Sequence, residues 1–96
     1  MDIKNTTIVI TGASKGLGRE MAIHFSQKKA NVILVARTEA LLQQVKEEIE
    51  NLTGNTPLLI KCDISSESDV SCMAEKIEEK FHHVDVLVNN AGFATY

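Results

Sequence analysis

Four short stretches of the chain are apolar at nearly every position: TTIVIT at 6–11, NVILVA at 31–36, PLLIKC at 57–62 and VDVLVN at 84–89. They are rich in β-branched residues and bounded by Gly, Asn, Asp or Pro, so they read as strands. Near-continuous apolar runs suit strands covered on both faces, as in a parallel sheet. Between them the period lengthens to 3.6 residues. Leu41, Leu42, Val45, Ile49 and Leu52 form one helical stripe, and Val70, Met73, Ala74, Ile77 and Phe81 form another. A weaker stripe of Leu17, Met21, Ala22 and Phe25 marks a first helix. The order β-α-β-α-β-α-β predicts an α/β fold with parallel strands and right-handed crossovers. Gly54 is expected to close the second helix as a left-handed cap.

The three helices are expected to begin differently. Thr38 can cap the second, with Glu39 in its first turn, and a serine can cap the third, with Glu67 and Asp69 following. Acids there complement the positive end of the helix dipole. The first helix opens instead with Lys15 and Arg19, and its first acid is Glu20. It follows the segment Thr11–Gly18, TGASKGLG, which holds three glycines. A helix start with free N–H groups, no acid and a nearby lysine suits a bound anion. Gly12 would permit the turn off the strand, Gly16 would let a phosphate approach the backbone, and Gly18 would let helix and strand pack closely. The spacing is not that of a P-loop. The same residues could also form a glycine-rich turn with no ligand.

Composition narrows the classes. With 96 residues the chain is one domain, and its 44% hydrophobic and 24% charged content is that of a soluble globular protein. A net charge of −3 leaves no basic face for a nucleic acid. The longest apolar runs fall far short of the ~18 residues a spanning helix needs. The start MDIKNTT shows no basic segment followed by an apolar one, so a cytoplasmic location without membrane contact is expected. Cys62 and Cys72 have neither C-x-x-C nor zinc spacing, and both are expected to be packed or half-packed free thiols, with no metal bound. His24, His82 and His83 lack nucleophilic or metal-binding company and read as surface residues.

Four motifs then stand in register with the four strands: TGASKGLG after the first, VAR (Val35–Arg37) closing the second, CDIS (Cys62–Ser65) after the third and NNAG (Asn89–Gly92) after the fourth. Together, over essentially the whole chain, they resemble the short-chain dehydrogenase/reductase family. The resemblance implies a Rossmann-type three-layer α/β/α fold, here a truncated four-stranded parallel sheet in the order 3-2-1-4. Residues 1–96 would form a single, incomplete NAD(P)-binding domain. The resemblance implies cofactor binding by Gly12, Ser14, Lys15, Gly16, Leu17 and Gly18 of the glycine segment. It adds Arg37 and Thr38 after strand two, Cys62, Asp63 and Ile64 after strand three, and Asn90, Ala91 and Gly92 after strand four. In the family the glycine motif binds the pyrophosphate, the Asp after strand three bonds the adenine amino group, and the Asn-Ala-Gly segment lies against the ribose. On residue chemistry alone, Asp63 is equally a turn-forming residue before a capped helix, and Asn89–Gly92 equally a plain turn.

Dinucleotide enzymes that prefer NAD place an acid at the end of strand two. Here that place holds Arg37, followed by Thr38. An arginine offers a planar fork of donors to a 2′-phosphate, and Lys15 could add a second charge. NADP(H) is therefore expected to be preferred over NAD(H), unless Arg37 is only a solvated strand end. The family's catalytic Ser, Tyr-x-x-x-Lys pair and helix Asn have no counterpart, for the one tyrosine, Tyr96, is the last residue. The chain thus reads as the NADP(H)-binding half of a short-chain oxidoreductase interconverting an alcohol and a carbonyl, inactive by itself. The alternative is a non-catalytic dinucleotide- or partner-binding module. The strand at 84–89 would be an unpaired apolar edge through which copies could associate, and with only the third helix over it, one sheet face is expected to stay partly exposed.

Overall fold

The computed structural model describes residues 3–90. Seven elements follow one another: β1 (Thr7–Thr11), α1 (Gly16–Gln27), β2 (Asn31–Ala36), α2 (Glu39–Thr53), β3 (Leu58–Lys61), α3 (Glu67–Phe81) and β4 (Val86–Asn89). All strand pairs are parallel and the sheet order is β3-β2-β1-β4, the Rossmann-type arrangement expected. Side chains alternate across the pleat, so each strand feeds two cores. Ile8, Ile10, Val32 and Leu34 pack with Ala22 of α1 and with Leu42, Val45 and Ile49 of α2 on one face. Val9, Ile33, Val35, Ile60 and Cys62 meet Ile77 of α3 on the other, with Val70, Met73 and Phe81 half-buried beside it. Each fully buried Ile or Leu contributes about 1.5–3 kcal/mol, so the two central strands, β1 and β2, hold most of the stabilising surface.

The helical stripes are narrower than the sequence pattern suggests. Leu52 and Leu17 stand exposed, at 58% and 64%, and Ala74 is exposed as well. Leu17 sits in the first turn of α1 and Leu52 in the last turn of α2. Only Ile77 of α3 is fully buried. Cys72 is an exposed free thiol rather than a packed one, whereas Cys62 is buried. All strands but β2 begin one or two residues later than their apolar runs do, and Val84 and Asp85 precede β4 as a clip. There the Asp85 amide donates to the Thr7 carbonyl (2.9 Å) and its carboxylate accepts from the Thr7 amide (2.8 Å). His83 Nε2 stands 3.3 Å from the same carboxylate. Leu87 pairs in register with Val9 and so faces the α3 side, where it is 62% exposed. The expected thin cover over that face is present.

Candidate functional site

The parallel register sets the ends of all four strands along one edge: Thr11 lies level with Val35 and with Asn89, and Ala36 with Lys61. Every predicted site residue within the described chain follows one of these ends. Ala91 and Gly92 fall outside the described residues.

After β1 the chain reverses at Gly12 (φ 64°), and the Ala13 amide donates to Val35 O (3.2 Å), tying the turn to β2. Lys15 occupies the N-cap position of α1 but makes no side-chain cap bond, and the first turn holds no acid. The first amides of α1 therefore have no carboxylate or hydroxyl of their own turn in front of them. Gly16 takes φ 61°, and a Cβ built there meets nothing within 4 Å: the space above the helix start is open. Gly18 is different. A Cβ there would strike the Gly12 carbonyl and stand 2.7 Å from Asn90 Nδ2, so only a glycine lets α1 seat on the turn. Ser14 is half-buried; Lys15, Gly16 and Leu17 are exposed.

The two cations at this helix start have different fates. Arg19 is engaged by acids: Nη2 and Nε meet both carboxylate oxygens of Glu48 on α2, the latter at 3.0 Å, and Nη1 lies 2.9 Å from Glu20. It ties α1 to α2 and offers little charge outward. Lys15 makes no ion pair among the described residues and is the cation left facing solvent.

At the end of β2, Arg37 and Thr38 are both exposed. Thr38 holds the N-cap position of α2 without the expected cap bond, so its hydroxyl is not spent on the helix. Arg37 forms no hydrogen bond or ion pair among the described residues. Next to it, the Cys62 amide donates to Ala36 O (2.9 Å). The Cys62 side chain is buried in the α3-side core, and that burial, with the Asp69 and Asp63 charges, pushes its pKa up, so it remains a neutral thiol. Only its backbone borders the edge. Asp63 accepts from Ser65 through the hydroxyl (2.7 Å) and amide (3.0 Å); these bonds, helped by the Arg37 charge, hold its pKa below the usual aspartate value. The turn role and an ionised carboxylate at the edge coexist. Ile64 beside it is 42% exposed.

Asn90 closes the edge from β4. Its amide donates to Thr11 Oγ1 (3.0 Å) and its side chain to Gly12 O (3.2 Å), while the Thr11 hydroxyl donates to Asn89 Oδ1 (3.2 Å). Thr11, Asp69 and Glu48 were not candidates on sequence. Thr11 joins β1 to β4, Asp69 accepts from the Asp63 amide (2.9 Å), and Glu48 holds Arg19. The only sequence signal was the position of Thr11 ahead of the first glycine; the partners of Asp69 and Glu48 are fixed by tertiary packing.

The family model of the short chain dehydrogenases matches residues 6–96. The chain belongs to the short-chain dehydrogenase family. It is 42% identical over 96 residues to dehydrogenase/reductase SDR family member 7B of Danio rerio, covering 95% of this chain and 31% of that protein. Among solved structures, L-sorbose reductase of Gluconobacter frateurii, complexed with NADPH and L-sorbose, superposes with a TM-score of 0.87 at 32% identity, over 94% of this chain and 35% of that one. A short chain dehydrogenase structure from Shigella flexneri complexed with NADP gives 0.86 at 33%, over 93% and 38%. The chain spans about a quarter to a third of the length of the curated relatives it matches. For a short-chain dehydrogenase chain the edge has a fitting donor set: an uncapped helix start with open space before it, two outward cations and one carboxylate, in an order that would suit a diphosphate with a nucleoside beside it. Among the described residues no His, Cys, Asp or Glu group could hold a metal ion, and no helix is long and apolar enough to cross a membrane.

Proposed function

We propose that this strand edge binds a dinucleotide, NADP(H) in preference to NAD(H), and that the chain is the cofactor-binding part of a cytoplasmic oxidoreductase interconverting an alcohol and a carbonyl compound. The observation that carries the reading is the start of α1: no acid, no cap bond, and open space over Gly16. In this assignment the α1 amides and Lys15 hold the pyrophosphate, with Gly12, Ser14, Leu17 and Gly18 shaping the turn. The Asp63 carboxylate accepts from the adenine amino group, with the Cys62 backbone and Ile64 beside it. Asn90, Ala91 and Gly92 border the ribose on the nicotinamide side. Arg37 presents its guanidinium fork to a 2′-phosphate, with Thr38 adjacent. The bound nicotinamide would supply hydride chemistry. The 96 residues contain no Tyr-x-x-x-Lys pair, so we assign these residues binding and not proton transfer. NADP and NADPH in the two solved relatives support the cofactor class.

Calorimetric titration with NADPH and NADH tests the preference. NADPH is expected to bind about 10–100-fold more tightly, the value of one or two charge-assisted bonds, and Arg37→Asp is expected to abolish or invert the ratio. Equal affinities, or tighter NADH, would refute the assignment. A further part of the proposal is self-association of this chain along β4, whose Leu87 stands exposed and whose only partner strand among the described residues is β1. Size-exclusion chromatography showing a monodisperse monomer at high concentration would sink it.

A further inference from the structure

A carboxylate stands beside Arg37 along the edge where the strands end, that of Asp63. Ala36 lies level with Lys61, and the Cys62 amide donates to Ala36 O (2.9 Å). The chain therefore leaves β2 and β3 side by side, with Arg37 on one exit and Asp63 on the other. The two charges act on each other, since Arg37 helps to hold the Asp63 pKa low. Yet they do not close into an ion pair, and Arg37 stays exposed.

Ser65 holds that carboxylate. Its hydroxyl (2.7 Å) and its amide (3.0 Å) both donate to Asp63 Oδ1. The turn has backbone bonds of its own: the Asp63 amide donates to Asp69 Oδ2 (2.9 Å), and the Asp63 carbonyl accepts from the Ser66 amide (2.9 Å). The cap of α3 belongs to Ser66, whose hydroxyl accepts from the Asp69 amide (3.3 Å). The Ser65 hydroxyl is thus needed neither for the turn's backbone nor for the cap; it fixes the Asp63 side chain. Elsewhere in the chain a carboxylate without such a hold behaves differently. Glu48 takes no other hydrogen bond among the described residues, and it closes on Arg19 through Nε (3.0 Å) and Nη2.

We propose that Ser65 is a positioning residue for cofactor choice: by fixing the Asp63 carboxylate it keeps that group off Arg37, so the guanidinium fork stays available to a 2′-phosphate. The proposal rests on the reading of Arg37 given above. Ser65 touches no cofactor in this role. Without its hydroxyl, Asp63 loses one of two donors and competes with the phosphate for the same guanidinium. NADH carries no phosphate there and is indifferent to the competition.

The experiment is calorimetric titration of NADPH and NADH into the wild-type chain, Ser65→Ala, Ser65→Thr, Asp63→Asn and the double variant Ser65→Ala, Asp63→Asn. The expected result is a fall of about two- to fivefold in the NADPH-to-NADH affinity ratio in Ser65→Ala, the range of an exposed ion pair that has to be broken. Ser65→Thr keeps the hydroxyl and should restore the ratio. With Asp63→Asn no carboxylate competes, so adding Ser65→Ala should leave the ratio unchanged. A serine that only stabilised the turn would weaken both cofactors alike. Without cofactor, the Arg37 Nε–H resonance reads the pairing directly, and it should shift in Ser65→Ala but not between Asp63→Asn and the double variant. An unchanged ratio in Ser65→Ala beside a wild-type preference for NADPH, an equal fall in the Asp63→Asn background, or an unmoved Arg37 resonance overturns the role of Ser65 and leaves that of Arg37 standing. Equal affinities in the wild type overturn the reading of Arg37, and the role of Ser65 with it.

Discussion

The starts of α1 and α3 stand on the same edge of the same sheet and are built in opposite ways. At α3 the Ser66 hydroxyl accepts from the Asp69 amide (3.3 Å), and Glu67 and Asp69 lie in the first turn. That helix satisfies its own positive end. At α1 the N-cap is a lysine with no cap bond and the first turn holds no acid. A cap is worth about 1 kcal/mol and each well-placed acid a further 0.3–1 kcal/mol. α1 therefore forgoes local stabilisation of the order of 1–2 kcal/mol that its neighbour keeps. What it retains in exchange is a set of unclaimed N–H groups facing open space. The contrast separates a helix start that serves the fold from one available to a ligand.

The strongest way to break the contrast is to close the α1 start from behind. Gly18→Ala places a methyl group against the Gly12 carbonyl and Asn90 Nδ2. It is expected to destabilise the chain by about 3 kcal/mol, through overpacking against backbone. Urea unfolding measures this, and a loss under ~1 kcal/mol would mean the turn is softer than the packing implies. A smaller change exchanges the characters of the two starts. Lys15→Asp supplies α1 with a cap and is expected to raise stability by about 0.5–1 kcal/mol while weakening NADPH binding. Ser66→Ala should cost about 1 kcal/mol and leave that binding unchanged. Thermal melts and titrations on both variants check the pair. Parallel losses of stability and binding in both would remove the distinction.

The smallest effect concerns Asp63. Its folded pKa is lowered by the Ser65 bonds, with help from Arg37. A depressed carboxylate contributes stability above its unfolded value and loses it as pH falls through the folded one. The stability difference between wild type and Asp63→Asn should therefore be constant above about pH 4 and shrink below it. Denaturant melts across that range test the sign; a difference that grows on acidification would contradict it.

Much of this was legible in the sequence because the middle of β1 (Ile8–Ile10) and most of β2 (Val32–Ala36) are buried on both faces, so those positions had to be apolar. The helix starts were legible because capping and dipole rules act within one turn. Legibility failed where the outcome depends on distant partners. Leu17 and Leu52 fit the helical period but stand exposed in the first turn of α1 and the last turn of α2. Thr38 holds a cap position yet leaves its hydroxyl unused. Arg19 resembled Lys15 until Glu48, 29 residues away, was seen to hold it. The Thr11–Asn90 bond joins residues 79 apart and has no local signature.

The central claim, that the α1 start is kept open for a dinucleotide, is tested most directly by amide chemical shifts of the chain on addition of NADP⁺. The account predicts large, saturable shifts at Gly16–Arg19 and little change at Glu67–Asp69. Absence of shifts at Gly16–Arg19, or equal shifts at both helix starts, would contradict it.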